Sequence, residues 1–103
     1  MWKPYTRVTK AFPADERFRL ITQATRAAVS VPANIAEGHA RETRRDYAQF
    51  VSVAKGSLME LETYVMISER LGYSGQTDTA AVLDRIAELS RMLTALRRRL
   101  LEP

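Results

Sequence analysis

The chain has 103 residues, 46% apolar and 27% charged, with a formal net charge of +4 and a pI near 9.9. That is room for one hydrophobic core rather than two. The absence of cysteine excludes a disulfide framework and a thiolate metal site, and no apolar run is long enough to span a bilayer.

The opening stretch, MWKPYTRVTK, is basic but lacks the apolar core of a signal peptide, so cytoplasm is the default compartment. Only a short helix, over residues 5–11, is expected here, since Pro4 interrupts the pattern. A second helix is expected over 14–38. Pro13 suits its first position, where the missing N–H costs nothing, and Asp15 and Glu16 follow where the helix dipole favours acids. Ile21, Ala24, Ala28, Val31 and Ile35 recur at three and four, one apolar stripe with alanines small enough to let a neighbour approach. Pro32 lies within this helix, removes a backbone donor and is expected to bend it. Gly38 suits its end.

A third helix is expected over 44–71. Thr43 can cap it, with Asp46 three residues on. Tyr47, Val51, Ala54, Leu58, Leu61, Val65 and Ser68 then form a seam at alternating four and three, about eight turns long at 3.6 residues per turn. Tyr47, Phe50, Tyr64 and Leu71 read as core rather than as base-stacking platforms. Gly72 supplies a left-handed stop, GYSGQTD is a turn, and a fourth helix follows over 78–101 on Val82, Ile86, Leu89, Leu93, Leu96 and Leu100. Nothing alternates with period two. The expected fold is all-α: one domain, 1–103, built as an up-and-down antiparallel four-helix bundle with a short or truncated first helix.

Gln23, Arg26, Ser30, Asn34, Glu37 and Arg41 also follow one another at three and four, a polar stripe beside the apolar one. It is either a solvated face or a half-buried network or subunit contact. Groups of fixed geometry favour the network. Ser57 and Glu60 on the third helix are the candidate partners, with Arg26 the expected donor to a carboxylate.

Catalytic chemistry finds little support. His39 is the single histidine and follows a glycine at a helix end, so no two-histidine metal spacing exists. Glu60 and Glu62 are two apart and project to different sides of their helix. No serine has a histidine close in sequence, and no glycine-rich phosphate loop is present. No enzyme activity, metal or cofactor is expected.

Charge is unevenly distributed. Residues 1–45 hold nine lysines and arginines against four acids, while residues 46–103 hold seven against eight. Two clusters stand out: Arg41, Arg44 and Arg45, and Arg97, Arg98 and Arg99. Both are candidate contacts for RNA or DNA. For the second a simpler role is favoured, since cations in a last helical turn oppose the dipole.

The stretches FPADERFRLITQATRAAVSVPANIAEG, AKGSLMELE and ISERLGY, in this order and spacing, resemble the four-helix-bundle family that includes proteins encoded in intervening sequences of bacterial 23S ribosomal RNA. The resemblance covers about residues 8 to 100. It implies a small cytosolic bundle that assembles into homo-oligomers, notably rings of five, with a kinship to the basic accessory variability protein of diversity-generating retroelements, which engages a reverse transcriptase and nucleic acid. Arg26, Asn34, Glu37, Gly38, Ser57, Glu60 and Glu62 fall on the family's recurrent polar positions, to which no catalysis is assigned. The chain departs from the pattern at Thr25-Arg26, where paired arginines are common, and in having only MWKPYTRVTKA where a longer first helix is usual. Apolar surface exposed by a shortened helix would be covered by oligomerisation.

The expectation is thus a non-enzymatic, self-associating scaffold of unestablished role whose basic surface recruits RNA, DNA or a nucleic-acid enzyme. A protein-only adaptor for an acidic partner is the alternative, and a hydrolase using Glu37, Glu60 and His39 a distant third.

Overall fold

Three long runs of three-and-four spacing become three helices. The computed structural model describes residues 13–103, which form α1 (Pro13–His39), α2 (Arg44–Arg70) and α3 (Gln76–Leu100), with no strand among the described residues. The all-α class holds. The short helix expected over 5–11 lies outside the described residues, so the observed architecture is three helices rather than a complete four-helix bundle.

Local chemistry sets the ends. Pro13 is the first residue of α1, with Asp15 and Glu16 in its first turn. Thr43 caps α2, its hydroxyl accepting the Asp46 N–H at 3.0 Å. At the other end of α2 the Tyr73 N–H reaches the Ser68 carbonyl and the Gly72 N–H the Glu69 carbonyl. With Gly72 at φ +77°, this is the Schellman arrangement that turns the chain sharply. α3 starts two residues earlier than the periodicity suggests, at Gln76, and Gly75 caps it without a side-chain bond.

α2 is the shared partner. α1 packs along one side of it and α3 along another, while the backbones of α1 and α3 nowhere come within 8 Å of each other. The linkers, residues 40–43 and 71–75, are short, so neighbouring helices run antiparallel. The core is a ladder of Val31, Val51, Ala54, Leu58, Ile86 and Leu93. Val51 and Leu58 are the largest fully buried side chains, each worth about 1.5–3 kcal/mol of burial. Leu61, Val65, Leu89, Leu96 and Leu100 pack around it half-buried, as their spacing predicts.

The inward face of α1 is rotated from the predicted stripe. Ala27 and Val31 are buried and Leu20, Ala24 and Ile35 half-buried, whereas Ile21 and Ala28 are exposed. The reason is that α2 meets α1 along the border between its apolar and polar stripes, so Ser30 and Asn34 share the contact. On α3, Val82 is likewise exposed and Leu83 replaces it against the core, while on α2 Leu71 is exposed rather than core.

Pro32 does not end α1, which stays helical to His39. Both Pro32 and Ala28 are exposed, so water can satisfy the carbonyl that the proline leaves without a donor. Gly38 is the last residue but one of α1, at the end where it is expected. It lies within the helix at ordinary φ, because Gly72 is the positive-φ glycine of the described residues. Its role is steric: a Cβ there would stand 2.7 Å from Phe50 Cβ and 2.9 Å from Tyr47 Cδ1. Gly38 lets the end of α1 touch the start of α2.

Gly38→Ala is therefore expected to cost about 1–2 kcal/mol in urea unfolding, overpacking outweighing the gain in helix propensity. At Gly56, in the middle of α2, a Cβ would meet nothing within 4 Å, so Gly56→Ala should stabilise by about 1 kcal/mol.

Candidate functional site

The hairpin topology decides which chemistry meets. At one end of the rods lie the end of α1, the 40–43 linker, the start of α2 and the end of α3. Both arginine clusters are there. Arg44 Nη2 donates to the Arg99 carbonyl at 2.6 Å, joining residues 55 apart in sequence. That contact satisfies one of the carbonyls that the end of α3 leaves without a helical partner. Arg97, Arg98 and Arg99 occupy the last turn of α3, where their charge opposes the dipole. All six arginines are exposed.

Arg41 is partly committed: it pairs with Glu37 at 3.0 Å and its guanidinium lies 4.7 Å over the Phe50 ring. Beside α3, Lys55 joins Arg97 and Arg98 in lining a concavity between α2 and the chain's end, with Thr94, Leu101 and Glu102. Sequence reasoning misses Lys55, because no local signal links it to residues more than forty positions away. Glu42, Asp46 and Glu102 temper the positive charge of this end. His39 is exposed and sets its ring at 90° to Tyr47, with centroids 5.7 Å apart.

The polar stripe divides. Ser30 Oγ and Ser57 Oγ are 2.8 Å apart across the α1–α2 contact, and Asn34 Nδ2 donates to the Ser30 carbonyl at 2.8 Å and to Ser30 Oγ at 2.9 Å. All three residues are half-buried. Arg26, Glu37, Glu60 and Glu62 do not join them. Arg26 Nη1 reaches Gln23 Oε1 at 3.4 Å on its own helix, and the expected pairing of Arg26 with Glu60 is not made. Arg26 and Glu60 are both exposed, and solvated charges gain little by pairing. Glu62 is half-buried.

At the opposite end the α2–α3 turn folds back on α1. Arg17 lies 4.9 Å over the Tyr73 ring, and a hydroxyl chain runs from Ser68 to Ser74 to Thr79, each step 3.1 Å. Thr79 is buried and closes the chain on the Gly75 carbonyl. These groups border an open groove of about 410 Å³ whose apolar walls are Leu20, Ile21, Ala24, Val65 and Val82. None of Glu37, Glu60 and His39 lines it. Sequence reasoning misses this hydroxyl chain because Ser68, Ser74 and Thr79 fall on the end of one helix, a turn and the start of the next, and no single spacing links them.

The serine pair gives a direct test. Ser30→Ala and Ser57→Ala should each cost about 1 kcal/mol in denaturant unfolding, and the double variant less than their sum, because they share one bond.

A search among curated proteins finds no match to this chain. The family model described as 23S rRNA-intervening sequence protein matches residues 3–95. With nearly the whole helical body inside that match, the chain belongs to the 23S rRNA-intervening sequence protein family.

Proposed function

We propose that this chain is a non-enzymatic scaffold that assembles with copies of itself, as a ring of five, and presents its arginine end to RNA, DNA or a nucleic-acid enzyme in the cytoplasm. The observation that carries the reading is the meeting of both arginine clusters at one end of the rods, joined by Arg44 and the Arg99 carbonyl. Local helix chemistry accounts for three cations at the end of α3. It does not account for Arg44 and Arg45 at the start of α2, where a helix dipole disfavours cations. A convergent patch that opposes local electrostatics suits an anionic partner.

Self-association is supported by the outer face of α1. Phe18, Ile21, Thr25, Ala28, Val29, Pro32 and Ala36 fall on one side of that helix, and all are exposed. Phe18 and Val29 are 70% and 60% exposed. The Thr25 hydroxyl donates to the Ile21 carbonyl at 2.8 Å, so its methyl group is what the strip presents. An apolar strip some 18 residues long, about 27 Å at 1.5 Å per residue, is more than a monomer usually leaves in water. In this reading the fold is a four-helix bundle completed by a short first helix, and the strip meets a second copy.

Light scattering at micromolar concentration is expected to give a pentamer, and Phe18→Glu with Val29→Glu a smaller, still helical species. A wild-type monomer would refute the assembly. Reversing charge with Arg44→Glu and Arg98→Glu should weaken binding to nucleic acid at least tenfold, about 1.4 kcal/mol, measured by fluorescence anisotropy at low salt. Retention on an acidic protein after nuclease treatment, with no binding to nucleic acid, would favour an adaptor instead.

A further inference from the structure

Among the described residues, the arginine end has cations but no open aromatic surface. Tyr47 and Phe50 are its rings, and both are half-buried. Phe50 carries the Arg41 guanidinium over its face, and Tyr47 takes the edge-on contact with His39. The most exposed aromatic residue of the described chain, Phe18, lies at the start of α1, a helix length away. Proteins that hold single strands combine a basic track with aromatic rings on which successive bases stack. Here the rings are spent inside the fold.

The cations themselves are spread in two directions. Across the end they run from the 40–43 linker, over the start of α2, to the last turn of α3. Along the rod they extend to Lys55, which lines a concavity with Arg97 and Arg98. Lys55 is eleven residues after Arg44, about 16 Å along the helix. Such a field contacts phosphates and not bases. For contacts of that kind the partner of greater linear charge is favoured, and a double helix carries one charge per about 1.7 Å against 3.4 Å for one of its strands.

Resting on the nucleic-acid reading above, we infer that the ligand of the arginine end is a double helix, held by its phosphate backbone without regard to sequence and in preference to a single strand. RNA and DNA duplexes share that backbone chemistry, and the two are separate arms of the test. Arg44, Arg45, Arg97 and Arg98 make the main contacts, and Lys55 extends them along one groove edge. Arg41 contributes less, being held by Glu37 and Phe50.

The test is fluorescence anisotropy on the intact chain with a 20-base-pair RNA duplex, the matching DNA duplex, a scrambled version of each and the four component strands. Salt is varied from 50 to 200 mM. Both duplexes, or one of them, should bind at least tenfold tighter than their strands, with scrambled and original sequences within threefold. The logarithm of affinity should fall against that of salt with a slope of about −4, as for four or five neutralised phosphates. Lys55→Ala should make the slope shallower by about one while circular dichroism stays unchanged. Strands binding as tightly as duplexes, or a tenfold sequence preference, would overturn the inference and leave the nucleic-acid reading standing. Failure of every probe to bind at 50 mM salt would overturn both.

Discussion

The close contact between α1 and α2 is the constraint on which the rest of the molecule depends. It is made by small groups: Ala27 on α1, Ala54 on α2, and Gly38 where any Cβ would strike Phe50. Long side chains would hold the helices apart, and the Ser30–Ser57 hydroxyls could then not reach 2.8 Å. Close packing and the polar pair therefore require each other. Each half-buried hydroxyl is costly without a partner, and the pair with Asn34 satisfies both at once. The register of the first hairpin is set by that match.

From the register follows the placement of charge. α2 carries α1 on one side and α3 on another, so the molecule is two hairpins sharing a rod. An odd number of helices joined by tight turns brings the end of α1, the start of α2 and the end of α3 together. The six arginines of two distant sequence clusters converge there, and Arg44 reaches across to α3. Three of those arginines also quiet the dipole of α3. Stability at a helix terminus and the proposed recognition of an anion would draw on one set of side chains, so the two roles need not compete.

Much of this is legible in the amino-acid sequence. The seam of α2 from Tyr47 to Val65 needs no correction, because a helix packed on two sides has a broad apolar face that period alone identifies. The Gly72 stop is readable for a similar reason: its left-handed φ is a local requirement. Gly38 is legible as a helix-ending glycine, but its close-packing role is not, because the two look alike until the neighbour is known. Ile21 and Ala28 are misplaced since α1 meets α2 at a stripe boundary rather than a stripe centre. At the arginine end, both clusters are visible as charge runs, but Lys55 is not. Nothing in a linear reading places it beside Arg97. Spacing alone groups the charges of the polar stripe with Ser30 and Asn34, yet Arg26 and Glu60 stand in solvent. Spacing assigns a face, and burial decides which members of that face interact.

The convergence of the two arginine clusters can be measured without using the arginines. The chain has no cysteine, so Glu42→Cys with Glu102→Cys, and Glu42→Cys with Asp78→Cys, can be spin-labelled and diluted into unlabelled protein for pulsed dipolar spectroscopy. The first pair sits at one end of the rods and should give about 20 Å, two interhelical spacings. The second spans the rods and should give about 40 Å. A first distance as long as the second would mean that the clusters lie apart, and the shared site would not exist.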